Sequence, residues 1–220
     1  MNFTEHPPPT RREERLRGTD SLFARVEPFW PAGRRDLHWH VLPTPAEAVA
    51  LAAPYTGITG PGLEPVSPDG MHCTLLHAIG ATRDDVDIEE LLRDVRRTAR
   101  TLVPVTLTFD RPAVGALALE ISGWPGAPFS TLVDMVTAAT DRKGAAFKPG
   151  RSRYPHITLG YTTSSAASLD AVALRADLAS IDGPLSATVL ADRIHLVEQR
   201  HDGRRIQWNP IAEIPLGASA

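Results

Sequence analysis

From residue 36 onward, strand-like and helix-like patterns of apolar positions follow one another along the chain. Asp36-Leu37-His38-Trp39-His40-Val41-Leu42 alternates with period two and reads as a strand. It runs into Thr44-Pro45-Ala46-Glu47, a capping box with proline at the first helical position, so a helix is predicted to about Ala53. A Gly/Pro-rich loop over 57–70 leads to the strand MHCTLLHAI. Asp84 to Leu102 has the clearest helical pattern. Its start is acidic (Asp85, Asp87, Glu89, Glu90) and its end basic (Arg96, Arg97, Arg100), which complements the helix dipole and reads as a solvated face. Strands are predicted at VTLTFD and ALALEIS, then a helix from Pro128 to about Arg142. The loop KGAAFKPGRSRY delivers the chain to the strand PHITLGYT, and a helix follows over roughly 168–180. Two closing strands, ATVLADRIHLVEQ and RIQWNPIAEIPL, are predicted to form a hairpin around Asp202-Gly203.

Two stretches in this pattern are nearly the same. His72-Cys73-Thr74-Leu75 and His156-Ile157-Thr158-Leu159 are both His-apolar-Thr-Leu and lie 84 residues apart. Composition alone would produce such a tetrad roughly 0.03 times in a chain of this length, so two copies call for a reason. Each tetrad sits on a strand preceded by a loop and followed, after a turn, by a helix and further strands. That is a weak internal repeat of an α+β unit, and two such units facing each other would bring the tetrads together across a cleft.

Bulk properties narrow the classes. The chain has 220 residues, 42% hydrophobic and 22% charged, as expected of a globular protein with a sizeable core. A net charge of −3 argues against coating long nucleic acid but leaves room for a local basic patch. Cys73 is the only cysteine, so no intrachain disulfide forms and a reducing, cytoplasmic setting is expected. Residues 1–20 are Pro- and charge-rich without an apolar signal core and read as a disordered leader. Residues 21–220 are expected to form one domain, and no apolar stretch suffices for a membrane span.

On a strand, His72 and Thr74 point to one face while Cys73 and Leu75 point to the other. His156 and Thr158 do the same, with Ile157 and Leu159 feeding the core. Paired across a cleft, two imidazoles move protons near pH 7 and two hydroxyls hold an anion. In-line displacement at a phosphodiester uses that set. One histidine takes a proton from the attacking water, the other gives one to the leaving oxygen, and the hydroxyls hold the non-bridging oxygens. That scheme requires no metal or other cofactor. The chain lacks HExxH, a Cys/His cluster, a G-x-S-x-G elbow and a G-x-x-x-x-G-K-[ST] loop.

The paired strands resemble the 2H phosphoesterase superfamily, and specifically its 2′-5′ RNA ligase-like (RNA 2′,3′-cyclic phosphodiesterase) branch. The likeness covers about 36–214. DLHWHVL with its Pro-Ala-Glu helix is similar to that branch's first strand and helix, MHCTLLHAIG to its first motif, and Tyr154–Tyr161 to its second. The resemblance implies a bilobal α+β fold, two pseudo-symmetric antiparallel-sheet lobes with outer helices around a central cleft. It also implies metal-free cleavage of cyclic or 2′,5′ phosphodiesters and catalytic roles for His72, His156, Thr74 and Thr158, with His156 as base and His72 as acid. Where that branch commonly has Arg two residues after the second Leu, this chain has Tyr161, which bears on the substrate more than on the chemistry.

The expected partner is a nucleotide or RNA end with a cyclic phosphate or 2′,5′ linkage, bound by a monomer away from any membrane. The basic loop 142–153 could supply phosphate contacts through Arg142, Lys143, Lys148, Arg151 and Arg153, with Tyr154 as an aromatic face for a base. Tyr161 and Trp39 complete the candidate substrate-binding set. Either Trp39 or the flanking His38 and His40 faces the cleft. His77, five residues from His72, is expected to face away from it, and His195 reads as structural. Two other readings compete: a module that holds a nucleotide or RNA end without turning it over, and a 2′-5′ RNA ligase running the reverse reaction.

Overall fold

A computed structural model describes residues 21–115, 117–141, 147–163 and 169–217. The leader expected over 1–20, and Arg142 and Lys143 of the basic loop, lie outside the described residues. Two five-stranded antiparallel sheets form the centre of an α+β bilobal fold. The first, in spatial order, contains β10 (Ile206–Pro215), β9 (Arg193–His201), β1 (Asp36–Val41), β3 (Cys73–Ile79) and β6 (Lys148–Arg151). The second contains β2 (Leu63–Pro65), β7 (His156–Thr162), β5 (Ala118–Trp124), β4 (Val105–Val114) and β8 (Ala187–Ala191). Each tetrad strand, β3 or β7, is therefore second from an edge in its own sheet.

Helices cover the outer faces. Helices α3 (Ile88–Ala99) and α4 (Gly126–Asp141) pack on the first sheet, and α2 (Pro45–Ala52) and α5 (Ala171–Ala179) on the second. A short helix α1 (Leu22–Val26) precedes β1. The core lies between sheets and helices: Leu37, Trp39 and Leu75 are buried in the first lobe, and Leu107, Phe109, Ile121 and Ile157 in the second.

Local chemistry explains the helix starts. The Thr44 hydroxyl accepts from the Glu47 amide at 3.3 Å and the Glu47 carboxylate accepts from the Thr44 amide at 2.7 Å, so the capping box forms as read. α3 begins later than the charge pattern suggested, because Thr82–Asp85 closes its own capped turn and Asp87 caps the helix proper. Among the described residues no helix is long and apolar enough to cross a membrane.

Three departures from the pattern reading have physical causes. β2 and β6 lie in segments read as loop. They are short edge strands carrying proline, where a missing N–H is tolerated. The stretch 187–199 is two strands, since the chain bends at Asp192 and passes from the second sheet, where Ala191 pairs with Val105, to the first, where Arg193 pairs with Pro215. The hairpin around Asp202-Gly203 is present, with Gly203 at φ 89°, a conformation that suits glycine. The third departure is a pair of bulges in the tetrads themselves.

Candidate active site

The two tetrads meet. β3 and β7 lie against each other, and the His156 backbone N–H donates to the Cys73 sulfur. His72 and His156 are close enough that a charge on one opposes a charge on the other. Both imidazoles are fixed in the same way. His72 Nδ1 lies 2.9 Å from the Gly70 carbonyl and His156 Nδ1 lies 3.2 Å from the Tyr154 carbonyl. A carbonyl only accepts, so each Nδ1 carries a hydrogen and each Nε2 is the ring nitrogen that gains or loses the second proton.

Register shows how the rest of each strand is aimed. On β1 and β3, Trp39 pairs with Leu76 but His40 pairs with Thr74, so Leu75 is an extra residue. On β5 and β7, Leu119 pairs with Gly160 but Glu120 pairs with Thr158, so Leu159 is the extra one. Both bulges fall on the tetrad leucine, the same place in each copy of the repeat, and each resets the alternation of its strand. Thr74 and His77 therefore share a face, as do Thr158 and Tyr161. The expectation that His77 turns away is corrected for this reason: simple alternation fails across a bulge. His77 lies on the tetrad face, donating from Nε2 to Asp36 Oδ2 at 2.9 Å. Tyr161 lies there too, its hydroxyl sharing a hydrogen bond with Thr158 while burial pushes its ionisation up.

Cys73, Leu75, Ile157 and Leu159 are buried on the opposite, core face, as alternation requires. Burial pushes the Cys73 thiol up to about 12, against the smaller lowering influence of the His156 amide. Tyr154 packs beside His156, with ring centroids 5.4 Å apart, and its hydroxyl donates to Glu120 Oε1 at 2.8 Å. Trp39 is corrected: it is fully buried on the helix side, where its indole N–H donates to Thr140 Oγ1 of α4 at 3.2 Å, so no base reaches it. Arg151 pairs across the strands with Leu76, on the helix side, and is ion-paired with Asp134 of α4. It lines an open groove with Ser130, Val133 and Arg153, away from the tetrad face. Lys148 is exposed and pairs with Ile79, at the end of β3 remote from His72.

Other residues on the tetrad face escaped the sequence reading. Glu120, the cross-strand partner of Thr158, is buried there. The alternation of Leu117, Leu119 and Ile121 already placed it opposite the core. Trp208 of β10 is half-buried, with its ring 6.3 Å from that of His40. Of the two alternatives for β1, the flanking His38 and His40 take the tetrad face, and their stacking into a bank of imidazoles is what the sequence does not announce. His40 stacks on His72 at 4.4 Å and 20°, and His38 stacks on His77 at 3.9 Å and 21°. Burial, reinforced by the neighbouring imidazoles, holds His38 and His40 well below the usual histidine range. None of their four ring nitrogens has a hydrogen-bond partner among the described residues. Burial also dominates at His72, where it outweighs the bond to Gly70 and brings the imidazole down to about 4. Despite this density of histidine, no three His, Cys, Asp or Glu side chains among the described residues are arranged to hold a metal ion.

Comparison with known families fits this geometry. The family model of the 2′-5′ RNA ligase superfamily matches residues 50–203, most of the chain and both tetrads. The chain belongs to that superfamily. Its members, the 2H phosphoesterases, are phosphoesterases and ligases acting on RNA or nucleotides. No curated protein matches the sequence significantly. Among solved structures, E. coli LigT complexed with 3′-AMP is 19% identical with a TM-score of 0.60, covering 83% of this chain and 98% of its own. TT0787 of Thermus thermophilus is 16% identical with a TM-score of 0.60, covering 85% of this chain and 100% of its own. At these identities the likeness is one of fold, and it extends to the whole bilobal scaffold that positions the tetrads.

Proposed function

We propose that this superfamily member is a phosphodiesterase that opens 2′,3′-cyclic phosphates, or cleaves 2′,5′ linkages, in RNA ends or small nucleotides. The observation that carries the reading is the matched fixation of the two imidazoles, each tied at Nδ1 to the carbonyl two residues before it, on two strands that bring them together. His72, held neutral by burial, takes the proton of the attacking water at Nε2. His156, half-buried, gives a proton from Nε2 to the leaving ribose oxygen. These roles are the reverse of those implied by the family resemblance. Thr74 and Thr158 donate hydroxyl hydrogens to the non-bridging phosphate oxygens as charge develops there. Both proton transfers have a protein group assigned, so the scheme runs without a metal. E. coli LigT has been crystallised with 3′-AMP, with phosphate, with NADP+ and with ATP, which supports a nucleotide or phosphate ligand in a cleft of this fold.

The test is a substrate panel in chelator: 2′,3′-cyclic mononucleotides, a 2′,5′-linked dinucleotide and an RNA with a 3′-terminal cyclic phosphate, with products separated by chromatography. Hydrolysis of at least one in EDTA is expected. Tight binding without turnover of any would favour the holding module instead.

A further inference from the structure

The segment before β1 enters the space between the sheets. Phe23 of α1 lies with its ring 5.6 Å from Tyr161 on β7 and 5.2 Å from His201 on β9, so one side chain touches both lobes. The Leu22 amide donates to Thr162 Oγ1 at 3.0 Å. Trp30 follows, its ring 5.0 Å from His77 and 4.7 Å from His201, while its carbonyl accepts from His201 Nε2 at 2.7 Å. Phe23 and Trp30 are 3% and 4% exposed.

By register, Tyr161, His77 and His201 lie on the sheet faces that carry the tetrad groups, toward the ends of β3 and β7 remote from His72 and His156. A second tie crosses the lobes at the same end. Glu64 of β2, the cross-strand partner of Tyr161, binds Arg204 at 2.9 Å and Arg205 at 2.7 Å from the β9–β10 turn. His72 and His77 are separated by about 13 Å of bulged strand.

We propose that residues 21–35 close the far end of the cleft and make it selective for a terminal phosphodiester. Of the two linkages already proposed, the one that fits a cleft closed there is the 2′,3′-cyclic phosphate, free or at the 3′ end of a short RNA. A linkage with nucleotides on both sides needs a route out of the cleft in two directions. One of those routes is filled by packed aromatic rings and paired charge, and such steric exclusion is how a site rejects a competing ligand. The inference rests on the phosphodiesterase reading and narrows it.

Three probes test it, each followed by turnover and by direct binding in competition: a 2′,3′-cyclic mononucleotide, a short RNA ending in a 2′,3′-cyclic phosphate, and an RNA with one internal 2′,5′ linkage flanked on both sides. The first two should bind and react within about tenfold of each other, and the third at least about 100-fold more weakly. Phe23→Ala and Trp30→Ala, singly, should raise the internal-to-terminal ratio by about tenfold or more. If either variant fails to fold, the three probes on the parent protein decide alone. Equal handling of internal and terminal linkages by the parent overturns the proposal. If none of the probes is turned over, the phosphodiesterase reading fails, while the binding arm still decides whether the cleft is closed at one end. Binding of none of the three overturns both.

Discussion

Lowering the pH from 7.5 to 5 should destabilise this protein through its buried histidines, before any carboxylate with a shifted pKa contributes. His72 is held at about 4 in the folded state by burial, against 6.5 for an ordinary histidine. Below pH 6.5 the unfolded chain takes up a proton that the folded protein refuses. The stability due to neutral His72 is therefore full above 6.5 and is lost as pH falls toward 4. Between pH 7.5 and 5 that single group accounts for about 2 kcal/mol. His38 and His40, lowered further by burial, and His77 and His195 add losses of the same sign. Asp36 and Glu64 are lowered from 3.8 and 4.5, so their contributions persist until the pH falls below that range. Urea unfolding followed by tryptophan fluorescence at the two pH values measures the difference. His40→Phe, which keeps a ring against His72, should make the dependence shallower. Unfolding free energies that agree within about 0.5 kcal/mol at pH 7.5 and 5 would rule this linkage out.

Four further outcomes follow from the same geometry. Activity should survive chelator and be bell-shaped in pH, as a scheme with one neutral and one protonated imidazole requires, with the acid limb near about 4, where His72 takes up its proton. Thr74→Ala and Thr158→Ala should each lower turnover by roughly tenfold or more, while Thr→Ser at either position retains most of it, as steady-state kinetics would show. Cys73, buried with its thiol pushed up to about 12, should resist alkylation in the native protein and react only on unfolding, and Cys73→Ala should leave turnover intact. Trp39→Ala should cost about 3–5 kcal/mol in chemical denaturation, as truncation of a fully buried aromatic does, whereas a base-stacking role would have shown mainly in KM.

Much of the site was legible in the sequence because alternation on a strand is a rigid rule. Cys73, Leu75, Ile157 and Leu159 went to the core as the period required, and Thr44-Pro45-Ala46-Glu47 capped its helix as its side chains dictate. The rule broke where the backbone did. The bulges at Leu75 and Leu159 leave no mark in composition, and they alone decide that His77 and Tyr161 join the tetrad face. Contacts between distant segments were equally silent. Nothing in His38-Trp39-His40 announces that one histidine will stack on His77 and the other on His72, because cross-strand register is a property of two segments at once. Arg151 and Lys148 look like phosphate ligands as long as their segment is a loop. Once paired on an edge strand, Arg151 is committed to α4 and Lys148 to the remote end of β3.

Whether His72 and His156 act as base and acid on a phosphodiester is decided by single-turnover cleavage of a 2′,3′-cyclic nucleotide. The parent protein, His72→Ala and His156→Ala are compared, with ligand binding measured on the same preparations. Each variant should still bind within about tenfold of the parent but turn over on the order of 10²- to 10⁴-fold more slowly. Turnover by both variants at the parent rate would contradict the assignment.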